Sequence, residues 1–269
     1  MKLWLPILLL VLTVAGRLRA QAPASNSQPT VTVQDENARK ARALIDQAIR
    51  ALGGPAYLGV QDMNQQGRSY GFYHGTANSV GAPFWRHWRF PDKDRVEFTK
   101  QRDIVILHNG DKGYEITYKG PTPEEPKALA DYLRRRQFSL EWVLRKWLKQ
   151  PGLALFYEGS AIANQKPSEQ VSLVSAQNES VTLFIDATTH LPLKKSYTWR
   201  DPADRLRNTE DEVYDNYRPI QGVMTPFSVS RLLNGEMTSQ RFINSVSYNQ
   251  NLPDSLFEPG ALPQPGEKR

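Results

Sequence analysis

No cysteine occurs among the 269 residues of the chain. The chain therefore forms no disulfide framework, and it offers neither a thiolate nucleophile nor a sulfur ligand for a metal. A lipid cannot be attached to it through an N-terminal cysteine, so we expect a protein that is not itself lipid-anchored. The lack of thiols is compatible with an oxidising compartment outside the cytoplasm.

Motifs for metal and nucleotide binding are also missing. The four histidines, His74, His87, His108 and His190, are far apart, and none has a carboxylate at a spacing such as H-E-x-x-H. Neither of the glycine-rich phosphate-binding motifs, G-x-x-x-x-G-K-[ST] and G-x-G-x-x-G, occurs. We expect no metal, no cofactor and no enzymatic activity. A hydrolase built from two carboxylates that are distant in sequence is an alternative.

The chain has one long apolar run, at its N-terminal end. Lys2 precedes the apolar residues 3–15, and Leu18-Arg19-Ala20 follows as a small-residue cleavage site. The run is too short to cross a bilayer, which takes about 20 apolar residues. It predicts a signal peptide over residues 1–20, cleaved near Ala20, and export to the periplasm. An uncleaved N-terminal anchor is the alternative, because Arg17 and Arg19 are unusual near a cleavage site.

The excess of positive over negative charge is also small. Removal of residues 1–20 takes away three basic residues, so the formal net charge falls from +6 to +3. Basic residues are dispersed along the chain, whereas a nucleic-acid site needs them gathered on one face. We therefore expect no nucleic-acid partner.

The remaining residues predict one domain. Residues 21–34 and 259–269 are rich in proline and polar residues and read as a flexible linker and a flexible tail. Between them, residues 35–258 are enough for a single core. Apolar residues at helical spacing predict helices near 36–52, 124–136 and 139–149.

About ten short runs with alternating apolar residues predict β-strands. The clearest begin at Phe84, Arg95, Ile104 and Tyr114, and Asn109-Gly110 and Asn234-Gly235 predict hairpin turns. A sheet of this size must curl or be covered. The predicted fold is mainly β with a few helices, in which a strongly curved antiparallel sheet forms an incomplete barrel and the helices cover its concave side.

Five segments resemble a known family in order and spacing. They are 51–54 (ALGG), 108–114 (HNGDKGY), 185–192 (IDATTHLP), 214–226 (YDNYRPIQGVMTP) and 249–257 (NQNLPDSLF). They are similar to the bacterial outer-membrane lipoprotein carrier family, the LolA-like and LolB-like proteins that take part in outer membrane lipoprotein sorting. The resemblance implies a half-open β barrel with a helical lid over an apolar cavity. The family includes soluble carriers of lipoprotein acyl chains, lipid-anchored receptors and sensor domains, and the missing cysteine departs from the anchored type.

Aromatic and β-branched residues supply the candidate binding site. If alternate strand positions face inward, they line a pocket for acyl chains, whose burial is worth about 0.8 kcal/mol per CH₂ group. Ordinary core packing is the alternative for each residue. The candidate cavity-lining residues are Trp85, Trp88, Phe90, Phe98, Ile104, Ile106, Tyr114, Ile116, Tyr118, Val143, Trp147, Leu183 and Ile185.

An acidic cluster at Glu210, Asp211, Glu212 and Asp215 could in principle bind a hard cation. Strand alternation splits the cluster between two faces, so we interpret it as a solvated strand face paired with Lys195, Arg205 or Arg207.

The predicted function is a periplasmic carrier that binds lipid or lipoprotein acyl chains. A sensor or interaction module with the same fold, which contacts another envelope protein, is the second hypothesis, and the hydrolase is the third. The sequence leaves the oligomeric state open.

Overall fold

The computed structural model describes residues 33–78 and 80–260. The predicted signal peptide and its cleavage point lie outside the described residues, as does most of the predicted linker and tail. Within the described part there are four α-helices: α1 (Val33–Ala51), α2 (Pro55–Leu58), α3 (Pro126–Gln137) and α4 (Leu140–Arg145). Two short 3₁₀ helices, Trp147–Lys149 and Asp254–Phe257, follow α4 and the last strand.

The same residues form fourteen β-strands. They are β1 (Asp62–Tyr73), β2 (Thr76–Ala77), β3 (Ala82–Arg89), β4 (Lys93–Phe98), β5 (Ile104–Asn109), β6 (Lys112–Thr117), β7 (Gly120–Pro123), β8 (Ala154–Ala163), β9 (Lys166–Val174), β10 (Ser180–Asp186), β11 (Pro192–Arg200), β12 (Arg207–Ile220), β13 (Val223–Leu233) and β14 (Glu236–Tyr248).

A single antiparallel sheet contains these strands, in the order β7-β6-β5-β4-β3-β1-β14-β13-β12-β11-β10-β9-β8, with β2 paired to β1. The first and last long strands, β1 and β14, pair in the middle of the sheet, and a meander extends from each to a free edge. The two edges, β7 and β8, do not pair with each other. The sheet is therefore an incomplete barrel, as predicted, although it has more strands than the sequence pattern indicates.

Helices α3 and α4 belong to the connection from one edge strand, β7, to the other, β8. Each begins at a side-chain cap: Glu125 accepts a hydrogen bond from the backbone N–H of Ala128, and Ser139 accepts one from Trp142. Pro126 occupies the first turn of α3, where the missing N–H costs nothing. The predicted helices near 124–136 and 139–149 are confirmed, and the second one divides into α4 and a 3₁₀ turn.

The main hydrophobic core fills one half of the concave side. Helix α1 contributes Ala41, Leu44, Ile45 and Ala48, which are buried against the sheet. The α1 helix starts at Val33, earlier than predicted, so the last two residues of the predicted linker are helical. Asp35 and Glu36 lie in its first turn, where negative charge stabilises the helix.

A smaller core lies on the opposite, convex face of β5 and β6. It consists of Val105, Leu107 and Ile116 with Phe257 from the last 3₁₀ helix. The register explains the separation, since Val105 pairs with Ile116 whereas Ile106 pairs with Glu115. Neighbouring residues of a strand point to opposite faces.

The end of α1 is joined to the β12–β13 turn at a very close approach. Gly53 has φ +122°, and a Cβ added there would lie 2.2 Å from the Gly222 carbonyl oxygen. Next to it, the N–H of Met224 donates to the carbonyl of Leu52 at 2.9 Å. Only glycine fits this position, because both the backbone conformation and the space exclude a side chain.

We expect Gly53→Ala to lower the free energy of unfolding by about 3 kcal/mol or more, since a left-handed penalty adds to an overpacked contact. The control is Gly110→Ala, where φ is +61° and the surrounding space is free; it should cost only about 1–2 kcal/mol. Urea unfolding of both variants measures the difference. Equal costs would contradict the close approach of α1 to the turn.

Candidate ligand-binding cavity

The other half of the concave side is not filled. A cavity of about 570 Å³, here called the main cavity, lies between the sheet and helix α3. Strands β1, β3, β4 and β5 form one wall, β11 to β14 form another, and α3 with the start of α4 covers them. A volume of this size is in the range of small-molecule binding sites.

One wall of the main cavity, here called the apolar wall, carries a group of apolar side chains beside the polar residues Gln65, Arg86, Asp94 and His108. Trp88 on β3, Val96 and Phe98 on β4, and Ile106 on β5 line it. The register places them on one face, because Trp88 pairs with Asp94 and Val96 pairs with Ile106. All four are half-buried, so this wall presents hydrocarbon and aromatic surface to the cavity.

The facing wall carries charge. Glu210 and Glu212 on β12 point inward and are almost fully buried, with side chains 4% and 13% exposed. The carboxylate of Glu210 contacts Arg135 of α3 at 3.1 Å and Arg231 of β13 at 3.2 Å. Glu212 contacts Lys195 of β11 at 3.2 Å, and Arg231 and Arg241 at 3.5 Å each.

These neighbours determine the protonation of Glu212. Burial alone raises the pKa of a carboxyl group, but Lys195, Arg231 and Arg241 together hold the pKa of Glu212 well below its ordinary value. Tyr214 adds a hydrogen bond from its hydroxyl to Glu212 Oε2 at 2.9 Å. The carboxylate is therefore ionised throughout the physiological pH range.

Polar contacts hold the helical cover to the sheet. Lys195 Nζ donates to the carbonyl of Phe138, at the end of α3, at 2.8 Å, and the Arg135 contact to Glu210 holds the last turn of the helix. On the other side, the ring of Tyr132 stacks on His108 with 3.3 Å between centroids. His108 Nε2 lies 2.8 Å from Glu124, and burial lowers the pKa of His108, so a neutral imidazole donates to this carboxylate.

A side pocket of about 80 Å³ adjoins the main cavity. Leu52, Val60, Leu140 and Val223 line it, together with Trp88, which also lines the main cavity. It extends the apolar surface toward the junction of α1 and α4.

Only three of the predicted binding residues line the main cavity: Trp88, Phe98 and Ile106. Val143, Trp147, Leu183 and Ile185 are at most 1% exposed in the main core. Tyr114 and Ile116 belong to the convex-face core, and Tyr118 is 85% exposed.

The other three predicted residues also lie away from the cavity lining. Trp85 is covered by Arg102, Phe90 by Arg145, and Ile104 is 40% exposed on the cavity face of β5. Ligand binding by Trp88, Phe98 and Ile106 stays a prediction.

The interpretation of the acidic cluster at Glu210, Asp211, Glu212 and Asp215 needs correction. Its interpretation as a solvated face is wrong for Glu210 and Glu212, which line the cavity, although Lys195 does pair with Glu212 as expected. Arg205 and Arg207 do not form ion pairs with these two carboxylates, and Arg207 lies opposite Arg200 in the register of β11 and β12. The resemblance also predicted a cavity with an apolar lining, and this prediction is wrong. Six basic and six acidic side chains face the main cavity: Arg86, Arg135, Arg136, Lys195, Arg231, Arg241, Asp94, Glu124, Asp131, Glu141, Glu210 and Glu212.

One stretch has the spacing of a serine nucleophile turn, G-x-S-x-G, from Gly67 to Gly71. In hydrolases this serine sits on a sharp turn between a strand and a helix. Here Ser69 lies inside β1, paired with Ala82 on one side and Arg241 on the other. The stretch is a strand segment and not a nucleophile turn.

Metal sites and membrane-spanning helices are both absent from the described residues. No three histidine or acidic side chains within residues 33–78 and 80–260 come together as a metal site. In the same part of the chain, no helix combines the length and apolar character needed to cross a membrane.

Scans of the sequence against protein-family models and against curated proteins gave no match. Solved structures do match, each covering 81–82% of this chain and 97% of its own. They are a DUF1329 family protein from Desulfovibrio piger (TM-score 0.56, 13% identity), an outer membrane lipoprotein-sorting protein domain from Vibrio parahaemolyticus (0.51, 10%) and a LolA superfamily protein from Nitrosomonas europaea (0.50, 13%). The fold is therefore LolA-like.

The charged wall makes stability depend on pH. A carboxyl group whose pKa is lower in the folded than in the unfolded state stabilises the fold above its unfolded pKa, about 4.3, and this stabilisation is lost as the pH falls through the folded pKa. We therefore expect the thermal midpoint of the wild type to fall as the pH is lowered from about 5 to 3. Glu212→Gln should lower the midpoint at pH 7 and flatten this dependence. An unchanged slope in the variant would show that Glu212 is not held ionised by its neighbours.

Proposed function

We propose that the chain is a periplasmic carrier protein whose single domain, residues 35–258, holds the acyl chain of a lipid in the main cavity. The observation that carries the proposal is the unfilled half of the concave side, a cavity of about 570 Å³ with one apolar wall. The LolA-like fold supports it, because one structure of this fold is described as an outer membrane lipoprotein-sorting domain.

The apolar wall is the binding surface in this proposal. A chain lying along Trp88, Phe98 and Ile106 removes its methylene groups from water, which is worth about 0.8 kcal/mol per buried CH₂. The side pocket offers further apolar surface at Val60 and Leu140 for the end of the chain. Binding of this kind needs no covalent step and no cofactor.

Helix α3 acts as the lid. No apolar residue of α3 is fully buried, so its attachment depends on polar and ring contacts. These are the contacts of Tyr132, Arg135 and the Phe138 carbonyl described above, and the hydrogen bonds of Arg136 to Asp111 and of Gln137 to Glu179. Polar contacts at the edge of a cavity exchange with water at little cost, whereas a helix packed through a hydrophobic stripe would open only with difficulty. An envelope protein that delivers or receives the lipid would be the partner.

Ile106→Trp tests the cavity directly. The larger side chain extends from β5 into the space for the ligand, so we expect the affinity for a fluorescent long-chain fatty acid to fall by about tenfold or more. Fluorescence titration of the purified, delipidated protein measures the affinity. Native mass spectrometry of the protein before delipidation should also detect a bound lipid.

Ile104→Trp is the matched control. Ile104 lies on the same strand and the same face but is 40% exposed and not part of the lining, so its replacement should leave the affinity within about twofold. If the wild type neither carries nor takes up an acyl chain, the proposal is wrong. It is also wrong if both variants reduce binding equally.

A further inference from the structure

Basic side chains outnumber carboxylates on the sheet side of the main cavity. On the strands, four basic groups, Arg86, Lys195, Arg231 and Arg241, face three carboxylates, Asp94, Glu210 and Glu212. The helical cover and the residues before it add two basic and three acidic groups, so the complete lining is balanced and the positive excess is local to the sheet. A buried charge is costly where its own partners are few or distant.

Arg241 is the least satisfied of these groups. Its closest charged partner is Glu212, 3.5 Å from Nη2, and it makes no hydrogen bond to any of the described residues. The guanidinium has five N–H donors, of which a carboxylate or phosphate can accept two in parallel. Its side chain is 26% exposed, and the exposed part faces the cavity.

Two further arginines face the same space. Arg231 Nε is buried without a hydrogen bond, because Glu210 lies 3.2 Å away in an unfavourable direction. Arg86 forms two bonds of 2.8 Å to Asp94. Burial and then repulsion by Arg86 lower the pKa of Arg241 to about 10, so this guanidinium is charged at neutral pH.

The position of this cluster matches an amphiphile. Arg86 lies on β3 between Phe84 and the cavity-lining Trp88, whereas Arg231 and Arg241 extend from β13 and β14 on the charged wall. A ligand whose chain lies on the apolar wall therefore has its polar end near the arginines. An uncharged ester or amide end would leave Arg241 with Glu212, at 3.5 Å, as its closest charged partner.

We propose that Arg241, with Arg231 and Arg86, binds an anionic head group, a carboxylate or a phosphate, of the lipid that the cavity holds. This inference rests on the proposed function and narrows its ligand to an anionic amphiphile. Uncharged acyl groups, such as those of a lipoprotein, would be weaker ligands. The carboxylate would come from a free fatty acid and the phosphate from a lysophospholipid.

Two pairs of probes separate head-group charge from chain binding. Palmitic acid is compared with methyl palmitate, and lysophosphatidic acid with a monoacylglycerol of the same chain, each by displacement of one neutral fluorescent acyl probe from the full chain. We expect at least one anionic member to bind about tenfold or more tightly than its neutral partner. The pair with the larger ratio identifies the source of the anion.

Arg241→Gln should abolish that ratio, because it removes the charge that the proposal assigns to head-group binding, while Glu212 keeps Lys195 and Arg231 as partners. Arg241→Lys keeps the charge without the planar fork and should retain only part of the ratio. Arg207→Gln, at an exposed arginine of β12 outside the lining, is the control and should change nothing.

The outcomes distinguish the two proposals. Equal binding of anionic and neutral probes by the wild type overturns the head-group site while the carrier proposal stands. If the ratio of anionic to neutral probe affinity survives in both Arg241 variants, the assignment of the head-group site to Arg241 is overturned while the carrier proposal stands. Failure of every probe to bind overturns the carrier proposal itself. Circular dichroism confirms that the variants are folded.

Discussion

The charge network around Glu210 and Glu212 is the interaction on which the open half of the molecule depends. Two buried carboxylates on one strand are neutralised by basic groups from β11, β13, β14 and α3. Burying a charge without any such partner costs several kcal/mol, so each carboxylate needs at least one of these basic groups. The network also prevents collapse, because charged side chains that need polar contacts cannot pack into a dry core. The unfilled cavity and the polar attachment of α3 both follow from the same pairing.

The two halves of the concave side of the sheet are covered in different ways. Over β8 to β11, helix α1, α4 and Trp147 supply enough apolar surface to make a solid core. Over β3 to β5 the cover is α3 with the start of α4, and the α3 side chains that face the cavity are mostly polar: Ala128, Asp131, Tyr132, Arg135 and Arg136. The apolar residues of β3 to β5 are therefore left facing space. This division places the apolar wall opposite the charged wall and gives the cavity its two chemical characters.

Much of the fold follows from local patterns in the sequence. The apolar spacing from Ala41 to Leu52, the Gly53-Gly54-Pro55 stop and the Asn-Gly turns are short-range signals, and the elements that they predict are present. The face on which a strand residue lies is a long-range property, because a shift of one residue in register reverses every side chain. Ile106 and Ile116 look alike in sequence but face opposite sides of the sheet. Glu210 and Glu212 look solvated until Lys195, Arg231 and Arg241 are placed beside them. Each of these three basic residues lies on a different strand, so no local pattern predicts the burial of the two carboxylates.

In the proposed carrier, the charged wall would also link the ligand to helix α3. Glu210 holds Arg135 of α3 with one set of contacts and Arg231 of the sheet with another, while Lys195 divides its donors between Glu212 and the carbonyl of Phe138. A head group that draws Arg231 toward itself removes a competitor for Glu210 and leaves this carboxylate to Arg135. In the proposed carrier, the helix would then be held more firmly when the cavity is occupied than when it is empty. Because binding free energies are reciprocal, whatever loosens α3 would weaken the hold on the ligand by the same factor. Loading and release would then be controlled at the contacts of α3.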